Sequence, residues 1–153
     1  LVRWGSAQLR PVLAEMVWPG RCQVVQREPL VLLDGCHNLD AFTALVQTLT
    51  DYFPKRGVVW VLGFVGDKEF EKMLDLVVGR ARSLVVTRVE SPRSVEPEVL
   101  AGASRERGLK EVVVAQSGVE AVDKARAMVG SDEMVVVAGS LYLVGELLRE
   151  CSW

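Results

Sequence analysis

Hydrophobic residues fall along the chain in short runs, separated by longer segments in which they recur every three or four positions. The runs are rich in valine and are typical of strands buried on both faces of a sheet. The segments between them have the spacing of helices with one apolar stripe. Strands are predicted at residues 31–33, 58–62, 84–86, 112–114 and 134–137. Helices are predicted at residues 38–53, 67–79, 96–107, 118–129 and 140–149.

This alternation predicts an α/β fold of the Rossmann-like kind, with about six strands in a mostly parallel sheet and helices on both faces. The first part of the chain has a different pattern. Residues 6–17 are predicted to form a short helix and residues 23–26 a half-exposed strand. A tight turn at residues 27–29 joins that strand to the run at 31–33. We therefore expect a hairpin that adds one antiparallel strand at the sheet edge.

Length and composition restrict the class of protein. The 153 residues suit one globular domain, and 50% of them are hydrophobic, which is enough for a core. A net charge of −2 without a long basic block argues against a general nucleic-acid or membrane-surface binder. No apolar run is long enough to cross a bilayer. Three widely spaced cysteines indicate reduced thiols and a cytoplasmic protein, and they argue against a zinc cluster.

Candidate chemistry follows the strands, because open parallel sheets bind ligands outside the carboxyl ends of their strands. Asp34 ends one predicted strand, and Gly35 after it allows close approach of a ligand to the backbone. Asp34 is a candidate acceptor for a ribose or an amine. His37, the one histidine, is a candidate ligand for a carboxylate or phosphate beside a helix N-terminus. Asn38 serves equally well as a plain helix cap, and the pattern leaves both interpretations open.

Two further positions allow both a functional and a structural interpretation. Gly139 and Ser140 precede an apolar helix, which favours an N-cap, and no Gly-x-Ser-x-Gly elbow marks Ser140 as a nucleophile. Arg21 follows the rigid turn at residues 18–20 and could present its guanidinium to phosphate, although isolated surface arginines are commoner. Neither the Gly-x-Gly-x-x-Gly fingerprint nor a Walker A motif occurs, which argues against an NAD-binding domain.

Three motifs in order resemble the C-terminal domain of folylpolyglutamate synthases and dihydrofolate synthases, the folate branch of the Mur ligase superfamily. They are Trp-Pro-Gly-Arg at 18–21, Leu-Asp-Gly-Cys-His-Asn at 33–38 and Ala-Gly-Ser-Leu-Tyr-Leu-Val-Gly-Glu at 138–146. Their order and spacing resemble that family over nearly the whole chain. Cys36 stands where the family often has alanine and Leu39 where it often has proline, and neither position is an implied contact.

The resemblance implies one domain, residues 1–153, detached from an N-terminal P-loop ATPase domain. Such ligases use ATP and Mg²⁺ to phosphorylate a carboxylate of a folate or of dihydropteroate, and L-glutamate attacks the acyl phosphate. At matching positions, Arg21 and Asp34 would contact ATP, whereas His37 and Ser140 would hold glutamate. Supporting positions would be Gly35, Asn38 and Gly139. The metal ligands would lie in the N-terminal domain.

No residue of this chain is expected to be catalytic, and the chain alone is expected not to catalyse ligation. An alternative interpretation is a stand-alone nucleotide-binding or regulatory α/β module.

Overall fold

Strands and helices alternate through the computed structural model, which describes residues 15–16, 18–66 and 69–153. The strands are β1 (Gln23–Arg27), β2 (Leu30–Leu33), β3 (Gly57–Leu62), β4 (Ala81–Thr87), β5 (Val112–Ala115) and β6 (Glu133–Ala138). The helices are α1 (Leu39–Tyr52), α2 (Phe70–Val78), α3 (Pro97–Glu106), α4 (Gly118–Met128) and α5 (Leu141–Glu150).

The six strands form one sheet in the order β1-β2-β6-β3-β4-β5. β1 pairs with β2 in antiparallel orientation, and the other neighbouring strands are parallel. The predicted mostly parallel sheet with an antiparallel edge strand is therefore confirmed. The last strand, β6, lies between β2 and β3, so the loops after β2 and β6 emerge side by side at one edge of the sheet.

Helices cover both faces of the sheet, as predicted. Along β3, Trp60 and Leu62 face a core made with α1, α2 and α3, whereas Val59 and Val61 face a core made with α4 and α5. Successive side chains of a strand point to opposite faces of the sheet, which is why neighbouring residues of β3 enter different cores. Because both faces are buried, the strand sequences are unbroken apolar runs. Among the described residues, no helix is both long and apolar enough to cross a membrane.

Element ends differ from the prediction where polar residues interrupt the pattern. Helix α2 begins at Phe70 rather than at residue 67, with Glu69 at the N-cap position and no side-chain cap hydrogen bond. Strand β4 extends to Ala81 and Thr87, because pairing with β3 and β5 continues beyond its apolar centre. The helix predicted at residues 6–17 lies almost entirely outside the described residues. Residues 67 and 68, the first two of the helix predicted at 67–79, also lie outside them.

Candidate functional site

The two motif segments that follow β2 and β6 meet at the carboxyl edge of the sheet. The Gly139 amide donates a hydrogen bond to the Cys36 carbonyl oxygen at 3.0 Å, and the Asp34 amide donates to the Val137 carbonyl oxygen at 2.9 Å. Gly139 has a φ of +107°, and a Cβ there would lie 2.4 Å from the Gly63 carbonyl oxygen. A glycine is therefore required where the loop after β6 passes the Gly63 backbone at the end of β3.

Asp34 links this edge to the turn at residues 18–21. Its side chain is buried, with 7% of the residue exposed. One carboxylate oxygen accepts the Cys36 amide at 2.8 Å and the other accepts the Cys22 amide at 2.8 Å. The Gly35 amide also donates to the Gly20 carbonyl oxygen at 2.8 Å. Each carboxylate oxygen has two lone pairs, and the Cys22 thiol also lies against Oδ2, so Oδ1 is the oxygen with an acceptor position left for a further donor.

The turn places Arg21 directly over Gly35. Gly20 has a φ of +67°, and a Cβ on it would lie 2.7 Å from a methyl carbon of Val144 in α5. A Cβ on Gly35 would lie 2.7 Å from Arg21 Nη1 and 2.3 Å from Leu141 Cδ2. The missing side chain at Gly35 therefore makes room for the guanidinium of Arg21. Arg21 and Asp34 line the same cavity, and their contacts with ATP stay a prediction.

Two cavities lie on either side of His37. The first, which we name the α1 cavity, has a volume of about 310 Å³. Its lining includes Arg21, Asp34, Gly35, His37, Asn38 and Thr48. The second, the α5 cavity, has a volume of about 180 Å³. Its lining includes His37, Val65, Arg93, Gly139, Ser140 and Tyr142. His37 lines both cavities, so the predicted nucleotide and glutamate residues fall into two adjacent compartments.

A backbone hydrogen bond orients the His37 ring between the two cavities. Nδ1 lies 3.0 Å from the Gly35 carbonyl oxygen. Because a carbonyl oxygen can only accept, Nδ1 must carry the hydrogen. Nε2 is then the nitrogen left for a ligand, as an acceptor in the neutral ring and as a donor in the protonated ring.

Asn38 and Ser140 both cap helices, as the local pattern favoured. Asn38 Oδ1 accepts the Ala41 amide at 2.9 Å at the start of α1. Ser140 Oγ accepts the Tyr142 amide at 3.1 Å at the start of α5. The hydroxyl of Ser140 still has a hydrogen to donate, so capping is compatible with contact to a ligand in the α5 cavity.

Sequence reasoning missed Arg93 and Tyr142 as lining residues of the α5 cavity. Arg93 follows β4, the strand next to β3, and an antiparallel bridge between Val65 and Ser94 draws its segment across the edge of the sheet. The Gly66 amide also donates to the Arg93 carbonyl oxygen at 2.7 Å. Tyr142 lies within the third motif, two residues after Ser140, so that motif was the signal that could have found it. No local pattern marks Arg93, because its position depends on pairing between two separate loops.

Two thiols lie against the Asp34 carboxylate. Cys22 Sγ is 3.4 Å from Asp34 Oδ2. Partial burial of the sulfur, followed by the charge of Asp34, raises the pKa of Cys22 to about 11. The same causes raise the pKa of the buried Cys36 further. Both side chains are therefore neutral thiols at physiological pH, and neither supplies a thiolate nucleophile to the site.

Residues 20–141 match the model of the family described as Mur ligase, glutamate ligase domain. This stretch is most of the chain and contains Arg21, Asp34, His37 and Ser140. The chain belongs to that family. Its Mur ligase domain is 36% identical over 122 residues to a dihydrofolate synthase/folylpolyglutamate synthase of Mycobacterium tuberculosis. The alignment covers 79% of this chain and 25% of that relative.

Solved structures of the same family share the fold of this Mur ligase domain. A Mycobacterium tuberculosis folylpolyglutamate synthase complexed with ADP has a TM-score of 0.86 and 30% identity over 96% of this chain. A bifunctional folylpolyglutamate synthase/dihydrofolate synthase with Mn, AMPPNP and L-glutamate bound has a TM-score of 0.81 and 26% identity over 97% of it. The chain spans 35% of each of these solved proteins.

Proposed function

We propose that this Mur ligase domain is the C-terminal domain of an ATP-dependent ligase that adds L-glutamate to folates or to dihydropteroate. The observation that carries the proposal is the pair of adjacent cavities that share His37. A volume of about 310 Å³ falls within the roughly 300–1,000 Å³ typical of sites for drug-sized ligands, whereas about 180 Å³ suits a smaller molecule. We assign part of ATP to the α1 cavity and glutamate to the α5 cavity.

The residues of the α1 cavity have the donors and acceptors that ATP requires. The guanidinium of Arg21 binds phosphate oxygens through its planar set of N–H donors. Asp34 accepts a hydrogen bond from a ribose hydroxyl through the remaining lone pair of Oδ1. Gly35 leaves the space in which Arg21 lies, since a side chain there would meet the guanidinium. These three residues bind and orient the nucleotide without taking part in bond formation.

The α5 cavity positions the incoming amino acid. Ser140 lies at the N-terminus of α5, where unpaired amides and the helix dipole favour a carboxylate. His37 lies at the border between the cavities, and Nε2–H of its protonated ring donates to that carboxylate and holds it close to the α1 cavity. In the proposed reaction, a substrate carboxylate takes the γ-phosphoryl group of ATP, which releases ADP. The glutamate amine then displaces phosphate and loses a proton as the amide forms. The domain supplies position and excludes water.

Divalent metal binding is assigned to the partner domain. No group of three or more His, Cys, Asp and Glu side chains in residues 15–16, 18–66 and 69–153 is arranged to hold a metal ion. We therefore derive no step of this domain through Mg²⁺. The partner domain, which would also supply the P-loop and the folate site, is assigned to the N-terminal part of the ligase.

The test uses the full-length ligase that carries this chain. Purified protein is incubated with ATP, Mg²⁺ and labelled L-glutamate, and with either dihydropteroate or a reduced folate. We expect labelled product to form together with equal amounts of ADP and phosphate, and we expect the 153-residue chain alone to form none. Nucleotide binding without ligation by the full-length protein would refute the proposal and favour a regulatory module.

The assignment of His37 has its own test in the same assay. The His37→Ala enzyme should show a raised KM for glutamate with little change in the KM for ATP, because ring Nε2 contacts only the amino acid in this arrangement. The matched control is Thr43→Ala, because Thr43 is exposed on α1, lines neither cavity and donates its hydroxyl to the Leu39 carbonyl oxygen at 2.8 Å. Equal rises in the two KM values of His37→Ala would contradict the assigned role.

A further inference from the structure

We propose that Cys22 and Cys36 form a redox switch, in which a disulfide between them closes the α1 cavity to nucleotide. This inference rests on the proposed function of that cavity. Both residues line the cavity, and both are free thiols in the structure. They are widely spaced in the sequence, but in the fold they lie against one carboxylate, that of Asp34.

The Asp34 carboxylate brings the two cysteines together. Oδ2 accepts the Cys22 amide at 2.8 Å and lies 3.4 Å from Cys22 Sγ, whereas Oδ1 accepts the Cys36 amide at 2.8 Å. The Cys36 thiol interacts with the same carboxylate. The hydrogen bond from the Gly35 amide to the Gly20 carbonyl oxygen, at 2.8 Å, holds the two segments side by side. A bond between the two sulfur atoms therefore requires little movement of the backbone.

The two thiols differ in their access to solvent. Cys22 is exposed, so an oxidant can reach it, whereas Cys36 is buried and is reached only from within the site. Burial and the charge of Asp34 keep both thiols protonated, and the thiolate is the form that attacks a disulfide. The pair therefore stays reduced during brief exposure to an oxidant and responds to sustained oxidation.

The oxidant is a small-molecule disulfide, and oxidised glutathione is the probe for it. The minor thiolate form of Cys22 attacks one sulfur of glutathione disulfide, forms a mixed disulfide and releases one glutathione thiolate. Cys36 then loses its proton and attacks Cys22 Sγ, which releases the second glutathione and leaves the bond between the two protein sulfurs. One glutathione disulfide is thus reduced to two thiols as two protein thiols are oxidised.

The disulfide excludes nucleotide by covering Asp34. Its two sulfur atoms span the carboxylate that both thiols flank. Oδ1, the oxygen with an acceptor position for a ribose hydroxyl, is then closed to the ligand. Because the coupling between two events at one site is reciprocal, a nucleotide in the α1 cavity should also oppose formation of the disulfide.

The experiment oxidises the full-length ligase that carries this chain with glutathione disulfide, in the presence and absence of ADP. Trypsin places Cys22 in the peptide 22–27 and Cys36 in the peptide 28–55, so mass spectrometry detects their disulfide as a joined pair. The KM values for ATP and glutamate are then measured before and after oxidation.

Three variants separate the roles of the cysteines. Cys22→Ser removes the thiol that meets the oxidant, and Cys36→Ala removes the one that displaces glutathione. The matched control is Cys151→Ser, because Cys151 follows α5 and lines neither cavity. Each variant is compared with its own reduced form, and thermal unfolding midpoints establish that the variants are folded.

We expect joined peptides in oxidised wild type and in Cys151→Ser, and slower joining when ADP is present. Oxidation should raise the KM for ATP about 10- to 100-fold, the range for loss of a hydrogen bond to a charged group, and leave the KM for glutamate unchanged. Dithiothreitol should reverse the rise. Cys36→Ala should stop at the glutathione adduct of Cys22, and Cys22→Ser should keep the KM for ATP of its reduced form.

A glutathione adduct on Cys22 of wild type without joined peptides would overturn the inference, because Cys36 would then not reach that sulfur. Joined peptides with an unchanged KM for ATP would overturn it as well, and the proposed function would stand in both cases. Should Cys22→Ser fail to fold, dithiothreitol decides, since a raised KM that it does not reverse would also overturn the inference. Absence of glutamate ligation by the reduced wild-type enzyme would instead refute the proposed function, and this inference with it.

Discussion

Asp34 should be the residue whose removal damages both the stability of the domain and the geometry of the α1 cavity. In the Asp34→Ala variant, the Cys22 and Cys36 amides each lose a carboxylate acceptor at 2.8 Å. A hydrogen bond to a charged group contributes about 1.5–3 kcal/mol, and a buried donor left without a partner costs a similar amount. The Cys36 bond is buried and the Cys22 bond partly so. We therefore expect a loss of about 3–5 kcal/mol in the free energy of unfolding.

Urea unfolding of the chain, followed by circular dichroism, measures this loss. Asp34→Asn retains one carbonyl acceptor but turns an NH₂ group towards the other amide, so it should lose at least half as much. Asp51→Ala is the matched control, because Asp51 is exposed near the end of α1 and accepts only the side-chain amide of Gln47. That change should stay within about 0.5 kcal/mol of wild type. A loss below about 1 kcal/mol in Asp34→Ala would refute the reasoning, because two unpaired amides cannot cost so little when one is buried.

Three further predictions follow from other contacts. Gly139→Ala should destabilise the chain by about 2–6 kcal/mol in urea unfolding through backbone strain and overpacking. Gly102→Ala, with open space around it in α3, should be neutral or stabilising. A tolerated Gly139→Ala would contradict the close approach of Gly139 to the Gly63 carbonyl oxygen. Burial raises the pKa of Glu146 in the folded protein above the value of 4.5 for the unfolded chain. The Glu146 carboxyl group therefore contributes to stability below pH 4.5, and this contribution is lost as the pH rises through the folded pKa. Thermal unfolding should therefore show wild type losing stability relative to Glu146→Gln as the pH rises above 4.5, and parallel curves would exclude this effect. The pKa of Cys22 is raised from 9.0 to about 11, so Cys22 should react with iodoacetamide at pH 8 about 100-fold more slowly than a free cysteine. Asp34→Asn should accelerate this reaction. Equal rates with and without the Asp34 carboxylate would contradict the charge argument.

The local pattern of the sequence determined the elements of this domain and the caps of two helices. Valine runs identify strands because a strand buried on both faces needs apolar side chains at every position. Asn38 and Ser140 are recognisable as caps because the donor and acceptor of a cap lie within a few residues of each other. The roles of Arg21, Asp34, His37 and Ser140 came from the resemblance to a family, and they remain predictions about function.

Only the tertiary structure decided which of these elements are neighbours. Any of the apolar runs could pair with any other, so no local pattern predicts that β6 lies between β2 and β3. That strand order brings the Gly139 amide to the Cys36 carbonyl oxygen. The link from Asp34 to Cys22 and the arrival of Arg93 in the α5 cavity are contacts between distant segments. Such contacts depend on how loops meet at the sheet edge, and a periodicity read over a few residues carries no information about them.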